Sequence, residues 1–147
     1  MTTRTGKRDA AARAWRRMFA VLMSSRPQRD AVLERLGLTP NDSKALHSLD
    51  AENGQPMRAL AQLWRTDASN ATWIVDRLER KGLAERRTPP RDRRVKLVFL
   101  TPHGLKTRND ILRAFHEPPP ELSLLDRRDL DTLAAILARL PSTGDSP

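Results

Sequence analysis

Two apolar stripes of identical spacing, separated by a break too short for anything but a turn, constrain this chain more than any other feature. Met57, Leu60, Ala61 and Trp64 fall at helical intervals, and Ala71, Ile74, Val75 and Leu78 repeat the same pattern. Between them stands Arg65-Thr66-Asp67, in which Thr66 or Asp67 can cap the second helix. Two short amphipathic helices joined in this way make a helix-turn-helix. At about 100° per residue, the direction opposite the second stripe carries Ser69, Trp73, Asp76 and Arg80, with Asn70, Thr72 and Arg77 on its flanks. The pattern predicts a recognition-helix face.

Gly82 closes that helix, and residues 83–87 and 95–100, the latter rich in β-branched and aromatic side chains, read as two strands. The loop between them carries Arg91, Arg93 and Arg94, with Arg86, Arg87 and Lys96 beside it, and Pro89-Pro90 stiffens its rising limb. A hairpin tipped with arginines is a wing. Upstream, Ala11, Trp15, Met18 and Leu22, flanked by Ala12, Phe19 and Met23, predict a first helix that Pro27 stops. Ala31, Val32, Leu33 and Leu36 predict a second, ending at Gly37, and Thr39-Pro40 opens a third that turns Ala45, Leu46 and Leu49 inward. Residues 52–56 read as a turn. Downstream, a helix runs from Pro102 to about Glu117, three prolines break the chain, and Asp126 caps a last helix with Leu130, Leu133, Leu137 and Leu140 on one stripe.

The expectation is a mainly α fold with a small β-wing: a winged helix-turn-helix lobe over 37–101, with dimerisation helices at 8–36 and 102–141. Residues 1–7 and 142–147 are expected to be disordered. Both the first helix and the Leu130 stripe offer apolar faces with no sufficient partner in a chain of 147 residues, which argues for a homodimer.

Charge narrows the partner. Residues 58–96 hold 11 Lys or Arg against 5 Asp or Glu, a net of +6 out of +9 for the whole chain. Such a balance attracts polyanions, nucleic acid before anionic membrane. With no cysteine, disulfides, thiolate metal sites and thiol nucleophiles are excluded. His47, His103 and His116 have no paired ligand spacing, so neither metal nor cofactor is expected. Phosphate-binding glycine loops and a nucleophile elbow are missing from the sequence, which argues against an enzyme. No apolar run is long enough to span a bilayer and the N-terminus lacks a signal-peptide centre, so a cytoplasmic protein without membrane attachment is expected.

Leu60-Ala61, the run from Val75 through Asp76-Arg77-Leu78-Glu79-Arg80-Lys81 to Gly82-Leu83, then Asp92-Arg93-Arg94 and Leu100-Thr101-Pro102-His103-Gly104 together resemble the MarR family of bacterial transcriptional regulators. The likeness covers roughly residues 30–141. It implies a homodimer with interleaved terminal helices, each lobe placing its recognition helix in a major groove and its wing arginine in the flanking minor groove of a pseudo-palindromic double-stranded operator. It also implies that Asp92 orients Arg94, that the regulator represses, and that a small aromatic or amphipathic effector entering a cleft releases the DNA. One departure stands out: Trp73 occupies a position where many members carry a basic residue.

The candidate DNA-binding residues are therefore Ser69, Asn70, Thr72, Trp73, Arg77, Arg80, Arg91, Arg93 and Arg94, with Asp92 orienting the wing. Ser69, Asn70 and Thr72 also suit simple first-turn capping. Trp73 suits either a thymine methyl or sugar, or packing on a neighbouring loop. Trp15, Phe19 and Met23 are the effector-pocket candidates, although a core or dimer seam explains the same stripe. An architectural or protein-interaction module without sequence choice is the alternative function, and the polar first turn of the recognition helix separates the two.

Overall fold

The computed structural model describes residues 2–141, so the expectation for 142–147 lies outside the described residues. Among the described residues, seven α-helices and three short strands follow in the order α1 (Thr2–Ser24), α2 (Arg26–Arg35), α3 (Pro40–Ser48), β1 (Gln55–Pro56), α4 (Met57–Trp64), α5 (Ala68–Arg80), β2 (Ala84–Arg87), β3 (Leu97–Leu100), α6 (Pro102–Phe115) and α7 (Arg127–Leu137), with a 3-10 turn at Pro120–Leu124 before the last. The chain is mainly helical with a small antiparallel wing. No helix among the described residues is long and apolar enough to cross a membrane.

Local chemistry sets most of the boundaries. Gly37 takes φ +63° after α2, and the amides of Gly37 and Leu38 donate back to the carbonyls of Glu34 and Leu33. Thr39 and Asp42 form a capping box at the start of α3, each side chain accepting the other's backbone N–H. Thr101 caps α6 through the Gly104 amide, while its hydroxyl donates to the Gly82 carbonyl. Gly104 is required there, because a Cβ would sit 2.0 Å from the Leu83 carbonyl oxygen.

Two compact units result. Pro27–His116 forms one, and α1 with residues 117–141 forms the other. In the first, Leu33, Leu46, Leu60, Val75, Leu78, Val98, Leu100 and Ile111 build one buried core, each large side chain contributing about 1.5–3 kcal/mol. This unit is wider than the expected 37–101 lobe, because α2 and α6 supply Leu33 and Ile111 to the same core. In the second unit large apolar side chains stay exposed, among them Trp15 at 59% and Leu140 at 58%.

Three expectations need correction. Residues 2–7 are helical, since nothing before the alanine-rich stretch stops α1. Residues 55–56, read as turn, form the edge strand β1, with Gln55 opposite Val98 and Pro56 opposite Leu97, so the sheet has three strands in the order β1-β3-β2. Leu140 lies beyond the end of α7 at Leu137, so the expected four-leucine helical stripe is cut short. In the turn leading to β1, the amides of Asn53 and Glu52 donate to the Asp50 carboxylate and hold its pKa below the ordinary value.

Arg65 ends α4 in the left-handed region, at φ 52° and ψ 49°, where a Cβ is disfavoured. Arg65→Gly should therefore raise stability by about 0.5–1 kcal/mol, after the extra entropy of an unfolded glycine is subtracted. Denaturant melts of the two proteins check this, and a lower midpoint for the glycine variant would show that Arg65 is not strained.

Candidate nucleic-acid interface

The helix-turn-helix is stapled at its turn. Asp67 caps α5 by accepting the Asn70 amide at 2.8 Å, and the Asn70 side-chain amide donates to the Thr66 hydroxyl at 2.7 Å. Asn70 is thus engaged within the turn. Ala71, Ile74, Val75 and Leu78 are buried on one side of α5, which leaves Ser69, Thr72, Trp73, Asp76 and Arg80 exposed on the other. The Trp64 indole, on the inner face of α4, donates to the Ser48 hydroxyl at 2.8 Å and packs against the core.

Arg77 goes elsewhere than expected. Its Nη2 donates to Oδ2 of Asp42 at 2.6 Å, and that carboxylate is fully buried. A buried carboxylate without its cation costs about 3–5 kcal/mol, so α3 holds the guanidinium inward and away from the open face. On the way it lies 4.6 Å over the ring of Trp73, one helical turn earlier.

Arg86 departs from its place in the sequence pattern, which sets it beside the wing arginines. Its side chain turns back to α5 and pairs with Asp76 at 2.8 Å and with Glu79, whose carboxylate also accepts the Arg86 amide. Two acids of the recognition helix share this one guanidinium, which cancels one of their two charges. The signal in the sequence is their spacing of three residues on one helix face, with a strand arginine following the GL junction.

In the wing, residues 88–96 connect β2 to β3 and expose Arg91, Asp92, Arg93, Arg94 and Lys96. Asp92 accepts the backbone N–H of Arg94 at 3.0 Å, which shapes the tip through the main chain rather than through the guanidinium. Arg87 pairs with Glu85 and covers the ring of Phe99 at 4.7 Å. Of the 11 basic residues in 58–96, Arg77, Arg86 and Arg87 enter ion pairs. The other eight, Arg58, Arg65, Arg80, Lys81, Arg91, Arg93, Arg94 and Lys96, are exposed and outside any ion pair among the described residues. Asp67 and Asp92 keep their negative charge in a cap and a turn, and the other local acids pair with Arg86 and Arg87, so cations stay in clear excess on this surface.

Of the effector candidates, Trp15 and Phe19 lie side by side on α1 with ring centroids 6.0 Å apart, and Met23 follows one turn later, all three exposed.

A MarR family model matches residues 36–95, which takes in the helix-turn-helix and most of the wing. The chain is 28% identical over 109 residues to the HTH-type transcriptional regulator MhqR of Bacillus subtilis, covering 74% of this chain and 75% of that protein. The YusO protein of Bacillus subtilis superposes with a TM-score of 0.73 at 25% identity, over 89% of this chain and 94% of that one. A MepR mutant of S. aureus bound to an oligodeoxyribonucleotide gives 0.71 at 23% identity, over 85% and 94%, a likeness of fold. With both helices and most of the wing inside the matched residues, the segment 36–95 is a MarR-family winged helix-turn-helix, and the chain as a whole is similar to transcriptional regulators with that fold.

Proposed function

We propose that this regulator works as a homodimeric, sequence-specific repressor that a small ligand releases from a pseudo-palindromic operator. The observation that carries the reading is the division of surfaces: eight exposed cations outside ion pairs gather on one lobe, while α1 and α7 leave aromatic and aliphatic side chains uncovered. Ser69, Thr72, Trp73 and Arg80 reach base edges or phosphates from α5, and Arg91, Arg93 and Arg94 follow the backbone from the wing. Asn70 shapes the turn and Arg77 serves the protein interior. Trp15, Phe19 and Met23 supply the apolar surface for an aromatic or amphipathic effector. The oligodeoxyribonucleotide-bound MepR mutant of the same fold supports the DNA-binding part of this reading.

Competition decides between this and an architectural binder: the protein on its own upstream DNA should survive an excess of random duplex, which a binder of phosphates alone does not. Salt provides the second measure. If a dimer neutralises on the order of 10 phosphates, log affinity should fall against log salt with a slope of roughly −9. Arg91→Ala should reduce that slope by roughly 2, because each chain of the dimer then neutralises one phosphate fewer. An unchanged slope would remove Arg91 from the interface.

A further inference from the structure

We propose that Trp73 is a fixed thymine-methyl reader, and that Arg77 positions it instead of touching DNA; the inference rests on the DNA-binding reading of α5. A continuous chain of contacts runs from the interior to this indole. Oδ2 of buried Asp42 accepts the Thr39 amide at 2.9 Å and the Arg77 guanidinium at 2.6 Å, and the same guanidinium lies 4.6 Å from the Trp73 ring centroid. Thr39 and Asp42 belong to the capping box of α3, so the far end of the chain is anchored in the fold.

The consequence for Trp73 is loss of freedom. It is half exposed, at 50%, on the same side of α5 as Ser69, Asp76 and Arg80, yet the guanidinium covers one ring face. An indole held in this way has less rotamer entropy to lose when it meets a partner. In a major groove almost every group on the base edges donates or accepts a hydrogen bond, and the apolar exception is the C5-methyl of thymine. A fixed apolar edge in the second turn of the recognition helix matches that group. Asp42 meanwhile neutralises Arg77, so the guanidinium has little attraction left for a phosphate.

The test uses the duplex preferred in a randomised-site selection, with each thymine replaced in turn by deoxyuridine, which lacks only the methyl. Binding is followed by fluorescence anisotropy. One thymine per half-site should cost the unmodified protein about fourfold on losing its methyl, and about 15-fold when both half-sites are changed, as expected for a buried methyl-sized group. Trp73→Ala, a change at a half-exposed position that leaves the core intact, should bind the thymine and deoxyuridine duplexes equally. Arg77→Lys keeps a cation within reach of Asp42 but removes the planar stack, so methyl discrimination should fall while the salt slope stays the same.

Sequence-specific binding with no methyl-sensitive thymine, or with equal sensitivity in Trp73→Ala, overturns the reader role and leaves the DNA-binding reading standing. Retained discrimination in Arg77→Lys, or a salt slope reduced in that variant, overturns the positioning role. A selection that yields no preferred duplex overturns both readings.

Discussion

Leu133→Asp combined with Leu137→Asp should convert the proposed homodimer to a monomer and abolish operator binding in the same step. Leu137 is 39% exposed and neighbouring Ile136 53%, while Leu130 and Leu133 are partly covered within their own chain. An apolar face of this kind on a helix as short as α7 gains its stability from a partner, and a carboxylate placed in such a seam must be desolvated. Loss of the dimer removes the second half-site, a penalty of about 100-fold or more in apparent affinity. The compact unit Pro27–His116 has its own core, so it should stay folded in the double variant, with any loss of circular dichroism confined to the helices outside it. Sedimentation at micromolar concentration checks the result. A monomer for the unmodified chain, or a double variant that still dimerises, would sink the assignment of this seam.

What the sequence reveals and what it hides follow from the range of the forces involved. The two stripes are legible because burial imposes a period: Ala71, Ile74, Val75 and Leu78 are each no more than 5% exposed. Caps and stops are legible because they are local, as at Thr39, Asp67, Gly82 and Asp126. Strand β1 is not legible, because Gln55-Pro56 has no strand preference of its own and is extended only by pairing with Leu97 and Val98. The direction of Arg77 is hidden for a related reason. A helical wheel places its Cα on the flank, but the long side chain is drawn to Asp42, 35 residues earlier in sequence. The clue is the acid itself, standing among the inward-facing positions of α3 and requiring a cation if buried. Arg86 shows the same limit: its partners Asp76 and Glu79 are fixed by how β2 folds back on α5.

The wing separates affinity from reading, and three variants resolve its chemistry. Arg94→Ala should weaken operator binding on the order of 100-fold, since a dimer forfeits two charge-assisted hydrogen bonds of about 1.5 kcal/mol each. Base preferences set by α5 should persist, because an arginine in a minor groove senses width and potential more than base identity. Asp92 acts through the main chain: its carboxylate accepts the Arg94 amide at 3.0 Å and so holds the tip of the loop. Asp92→Ala removes that acceptor, leaves the wing to be ordered on binding, and should weaken affinity by about 10-fold despite the loss of a negative charge. Asp92→Asn keeps an oxygen for the amide and discards the charge, so it should bind at least as tightly as the unmodified protein. A guanidinium clamp predicts otherwise, because a neutral amide would hold Arg94 poorly. Randomised-site selection with anisotropy on all three variants decides the matter. Tighter binding by Asp92→Ala would leave charge as the whole account of the wing, and weak binding by Asp92→Asn would return the carboxylate to the Arg94 side chain.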